Sequence, residues 1–76
     1  MSFNTDLTNE LNLLTQFNLI NEQDGIKIHN DAASELIDAA EKLHNKGLIT
    51  QVDGGYLTDL GRKAAEHTQA LSSILK

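Results

Sequence analysis

The run from Leu43 to Asp59 restricts the fold more than any other part of this chain, because it sets one helix end, a hairpin and one helix start in continuous sequence. Gly47 follows Lys46 where a helix needs a residue of positive φ beyond its C-cap, and Leu48 past it can fold back on Leu43 as a Schellman motif requires. Leu48-Ile49-Thr50-Gln51-Val52 and Tyr56-Leu57-Thr58 then read as two strands. The steps Asp53-Gly54-Gly55 between them supply the positive φ angles of a primed hairpin turn. Thr58 caps the next helix, with Asp59 in its first turn where a carboxylate complements the helix dipole.

The rest of the chain supplies helices to pack on that hairpin. Leu7, Leu11 and Leu14, flanked by Phe3 and Phe17, fall near one face of a helix turning ~100° per residue, which predicts a first helix from Asn4 or Thr5 to Phe17. Asn4 and Thr5 are both suitable N-caps, and Asp6 sits in the first turn. Asn18, Asn21 and Asp24-Gly25 break the pattern, and Ile26-Lys27-Ile28 alternates as a short strand. Asn30 or Asp31 then caps a second helix whose stripe Ala33, Leu36, Ile37, Ala40 and Leu43 faces the core, opposite Asp31, Glu35, Asp38 and Lys42. In the third helix Leu60, Ala64, His67, Leu71 and Ile74 recur at the alternating spacing of a heptad seam.

The fold class this predicts is mainly α with a small antiparallel sheet, an α+β domain with the order helix, strand, helix, hairpin, helix. No linker, repeat or proline divides the 76 residues, so a single domain 1–76 is expected. That length is close to the lower limit for one hydrophobic core, and the absence of cysteine rules out both disulfides and thiolate metal sites as extra support. A formal charge of −5 repels phosphate backbones and anionic lipid, which weighs against nucleic-acid and membrane partners. Residues 1–10 hold neither a basic region nor an apolar run, so no secretory signal is expected there, and a cytoplasmic setting fits.

The run Leu43-His44-Asn45-Lys46-Gly47-Leu48-Ile49-Thr50-Gln51-Val52-Asp53-Gly54-Gly55-Tyr56-Leu57-Thr58-Asp59-Leu60-Gly61-Arg62, together with the element order, resembles winged-helix domains. In many bacterial regulators of that superfamily a helix ends in a leucine, a glycine and Leu-Ile, leads into a two-stranded wing and re-enters a helix at Leu-Thr-x-x-Gly-Arg. The match covers residues 30–70, and the chain also looks like one of the short bacterial proteins of this size that carry no assigned activity. The resemblance implies either a DNA reader or a protein-interaction module. One departure bears on the choice: a winged helix places two helices between the first strand and Gly-Leu-Ile, whereas residues 30–46 read as one uninterrupted helix.

The residue chemistry favours protein contact. Were the second helix to face DNA it would offer Asp31, Glu35 and Asp38, with Lys42 and Lys46 only at its far end, and the wing holds no basic residue, whereas DNA affinity rests largely on cations at phosphates. His29, His44 and His67 lack the spacing of a zinc site, so no metal or other cofactor is expected. Gly54 and Gly55 precede a strand and not a helix, unlike a phosphate loop, and Ser34, Ser72 and Ser73 lack a nucleophile elbow. So short a chain has little room to enclose a pocket of ~300 Å³ beside its core. The expectation is therefore a non-enzymatic, winged-helix-like protein-interaction module, with a DNA-binding transcriptional regulator as the alternative. Asp31, Glu35, Asp38 and Lys42 are the candidate partner-binding face, and the partner itself is unknown. Leu60 and Ala64 are expected to dock on the second helix, while His67, Leu71, Ile74 and Leu75 project beyond the domain as a candidate dimer contact between two copies of the chain.

Overall fold

A computed structural model describes residues 4–17, 19–20 and 24–76. Phe3, Asn18 and Asn21, to which the sequence assigns a flanking and two breaking roles, lie outside the described residues. The elements are α1 (Thr5–Leu14), β1 (Ile26–Lys27), α2 (Ser34–Asn45), β2 (Ile49–Gln51), β3 (Gly54–Leu57) and α3 (Asp59–Leu75). This is the expected order and class, three helices with a three-stranded antiparallel sheet ordered β1-β3-β2.

Local chemistry explains most of the boundaries. The Asn4 side chain accepts from the Leu7 amide at 2.8 Å, which makes it the N-cap of α1. The helix stops at Leu14, earlier than the expected Phe17. From there the chain tightens into turns in which the Gln16 and Phe17 amides donate to Leu13 and Leu14 carbonyls, and these turns carry Phe17 inward to 3% exposure. At the end of α2, Gly47 has φ +81°, its amide donates to His44 O and the Leu48 amide to Leu43 O, which is the hydrogen-bond pair of a Schellman motif. Thr58 caps α3 by accepting from the Gly61 amide at 3.0 Å, and its own hydroxyl donates to Gly47 O at 2.6 Å.

Three expectations need correction. Neither Asn30 nor Asp31 caps α2: a turn from His29 to Ala32 takes up that stretch, and Ala33 stands at the N-cap with no side-chain bond. The hairpin turn is Val52-Asp53 and not Asp53-Gly54-Gly55, because Gly54 and Gly55 are drawn into β3, where they pair with Lys27 and Ile26 of β1. Their positive φ, +120° and +75°, accommodates a register shift between β2 and β3, in which the Thr50 hydroxyl accepts from the Tyr56 amide. A Cβ on Gly54 would stand 2.5 Å from Ile26 O, so the glycine admits β1 to the sheet. Last, Leu60 does not dock on α2. It is 56% exposed, and α3 packs on α1 and β3 through Gly61, Ala65, Gln69 and their neighbours.

The core is formed by Leu13, Leu14, Phe17, Ile28, Ala39, Ala40, Leu43, Ile49 and Ala65, at the meeting of α1, α2, the sheet and one face of α3. Gly61 fixes how closely α3 approaches, since a Cβ there would lie 1.8 Å from Leu48 O. Gly61→Ala should therefore destabilise by about 1–3 kcal/mol through overpacking, although in a free helix the change would stabilise by about 1 kcal/mol. Gly47→Val meets no neighbour within 4 Å but forces a β-branched residue to positive φ, and should cost about 1 kcal/mol or more. Urea denaturation of the two variants beside the wild type measures both effects.

Candidate functional site

Side-chain placement divides the surface into an acidic face on α2, a notch beside it and a groove on the far side of the molecule. Of the expected partner face, Glu35 and Asp38 are exposed on α2, and Asp31 is exposed in the preceding turn. Lys42 does not belong with them. One turn of packing brings α1 alongside α2, and Lys42 Nζ lies 2.7 Å from the Asp6 carboxylate of α1. Lys46, the C-cap residue, turns the same way and meets Glu10 at 2.5 Å. Glu41 takes the outward place instead, so that among the described residues Asp31, Glu35, Asp38 and Glu41 form an exposed acidic face with no ion pair.

The Glu10–Lys46 pair was invisible to periodicity, which reads α1 from its leucines alone. Glu10 is 4% exposed, the one buried charged side chain among the described residues, and Lys46 reaches it from the solvent side. A buried carboxylate without a partner is costly, so this pair ties the end of α2 to the middle of α1. A third pair joins Lys27 of β1 to Asp53 in the hairpin turn. The hydrogen bond from Lys27 holds the Asp53 carboxyl below its ordinary value, and the bond to Asp6 holds the Lys42 ammonium above its own.

Beside the acidic face, Ile28, Ile37 and Val52 floor an open notch of about 640 Å³, edged by His29, Glu41 and Asp53. A second open groove, about 480 Å³, runs between α1 and the C-terminal half of α3 and is lined by Leu11, Thr15, His67, Leu71 and Leu75 among others. Both are open surface clefts, and neither is closed over by the core. Leu71, Ile74 and Leu75, expected to project, are 47%, 77% and 76% exposed, and His67 beside them is exposed as well.

Three positions of the run Leu57-Thr58-Asp59-Leu60-Gly61-Arg62 have a structural account. Thr58 caps, Gly61 permits close approach, and Arg62 Nη1 donates to Leu19 O at 3.0 Å. These are fold-making contacts. The chain belongs to DUF5669, a family of unknown function. The family model matches residues 1–76. No curated protein and no solved structure matches the chain. Membership in the family thus brings no activity, and the geometry has to carry any functional reading.

His29, in the segment after β1, His44 of α2 and His67 of α3 are each exposed, and among the described residues no three His, Asp or Glu side chains converge on a metal-sized site. No helix among them is long and apolar enough to cross a membrane.

Two measurements follow from the ion pairs. Lys46→Met should destabilise by about 1–3 kcal/mol through the stranded Glu10 carboxylate, against about 0.5 kcal/mol or less for Lys63→Met on the open surface of α3. Urea midpoints separate them. Asp53 should titrate below a normal aspartate by NMR and return to the normal range in Lys27→Met. Since its folded pKa is depressed, whatever stability the pair contributes is present above the unfolded value and is lost as pH falls through the folded one.

Proposed function

We propose that this chain is a non-enzymatic protein-interaction module of winged-helix-like build, which presents the outward face of α2 and the adjoining notch to a basic protein partner. The observation that carries the reading is the sorting of charge on α2: Lys42 and Lys46 are turned to α1, while Asp31, Glu35, Asp38 and Glu41 are left outward beside the apolar floor of Ile28, Ile37 and Val52. An apolar centre with a charged rim is the usual anatomy of a protein interface.

The element order and the β1-β3-β2 sheet are consistent with a winged helix, but α2 is the single helix between β1 and β2. The cations weigh against duplex DNA. Lys27, Lys42 and Lys46 are held by carboxylates and Arg62 by Leu19 O, which leaves Lys63 on α3 and Lys76 just past its end, too few for a phosphate-binding stripe. Asp53, one of the two carboxylates lining the notch, is engaged by Lys27, which supports a contact surface over a reaction site.

The test is cross-linking in the native cell with wild type and with Asp38→Lys combined with Glu41→Lys. Both positions are exposed, so the variant should keep the wild-type melt and lose the wild-type cross-linked partner. A partner retained by the folded variant would remove α2 from the interface. Mixed duplex DNA at low salt should leave the wild-type chain unretarded in a gel, and salt-sensitive retention would instead favour the regulator reading.

A further inference from the structure

The acidic face leaves unexplained why α3 carries an apolar stripe of which its own core uses only Ala64. The inward face of α3 is Gly61, Ala65 and the side of Gln69, small or polar residues that sit on Leu48 O and on the carbonyls of Leu14 and Phe17. The heptad-spaced stripe Leu60, Ala64, His67, Leu71 and Ile74 therefore lies to one side of the buried face, and its leucines and isoleucine are about half to three-quarters exposed. The stripe borders the α1–α3 groove and shares His67 and Leu71 with it.

We infer that a second copy of this chain covers the groove, the end of α3 from each copy lying in the α1–α3 groove of the other across a two-fold axis. Three features select this occupant. Heptad spacing of exposed aliphatic side chains fits a helix laid alongside. The ridge, Leu71 with Ile74 and Leu75, is itself one wall of the groove through Leu71 and Leu75, so a single rotation places each ridge against the other copy's groove, as a closed isologous contact demands. Charge decides between this surface and the rest. Two chains of −5 repel one another, and the acidic face of α2 could not meet its own copy, whereas neither the stripe nor the groove lining contains a carboxylate side chain, and only Lys76 and His67 there can carry charge. This surface is where like-charged copies can approach at least electrostatic cost.

The contact is independent of the α2 face, and sedimentation equilibrium distinguishes the two. Wild type at neutral pH should rise from the 8.3 kDa chain mass to twice that value across a range of about 10 μM to 1 mM. Leu71→Glu with Ile74→Glu, folded by circular dichroism, should weaken the association at least about tenfold. Asp38→Lys with Glu41→Lys should leave it unchanged. Because the chain has no cysteine, a mixture of Asn12→Cys copies and Leu75→Cys copies gives a second readout that holds even if the glutamate variant fails to fold. The mixed disulfide should form readily between them, and slowly when Lys63→Cys replaces Leu75→Cys. A wild type that stays at chain mass at the highest concentration, leaving the groove to another protein or a lipid surface, overturns the inference. So does a dimer indifferent to the folded glutamate variant, or a mixed disulfide formed no faster than the Lys63→Cys control.

Discussion

The carbonyl of Leu48 is the point on which this structure turns. It accepts the Thr58 amide at 3.1 Å and closes the base of the hairpin, while Gly61 brings the first turn of α3 so near that no side chain could stand between them. The residue before it, Gly47, has just ended α2 in the left-handed region and accepts the hydroxyl of Thr58. One helix end, one sheet edge and one helix start are therefore joined through four residues and backbone contacts that tolerate little displacement. In a chain with no cysteine and a small core, such a junction replaces the staples that domains of this size otherwise use.

The direction of α3 follows from that junction, and the environment of α1 follows from α3. Once α3 leaves Leu48 at this angle, Arg62 reaches Leu19 O, and Gln69 reaches the carbonyls of Leu14 and Phe17, at and just beyond the end of α1. Polar side chains thus help Gly61 and Ala65 to seat the helix, and Leu60, Leu71 and Ile74 are left outside. α1, held from one side by α3, presents Asp6 and Glu10 to α2 on the other, which draws in Lys42 and Lys46. The acid surplus of the chain is consequently not spread evenly. It is concentrated on the outward side of α2, and it is absent from the surface between α1 and α3.

Which parts were legible in the sequence follows from how local their causes are. Asn4 and Thr58 as caps, Gly47 as helix terminator, the hairpin, and β1 at Ile26 all depend on neighbours within a few positions, and each lies where the pattern placed it. The hairpin turn moved by one residue because Gly54 and Gly55 have a partner, β1, that lies far away in sequence. Leu13 is wholly buried, although the leucine spacing of α1 pointed to Leu7, Leu11 and Leu14, because α1 lies between two helices and buries a wider face than a single-sided pattern describes. Leu60 misled for the opposite reason: apolar spacing reveals a stripe but not what covers it. The acidic face was legible as a set of carboxylates, but the place of Lys42 was not.

By itself the sequence determined the elements, their order, the class of fold and the sign of the surface, since these follow from backbone propensity, capping chemistry, alternation and net charge. Only the tertiary structure decided which face of α3 is inside, that Glu10 is a buried charge held by Lys46, and that α2 keeps its carboxylates outward while surrendering its lysines to α1. The physical reason is the same in each case. A side chain's local pattern sets the direction in which it can point, but its burial and its charge partner depend on helices that arrive from distant sequence, through a contact as small as the missing Cβ of Gly61.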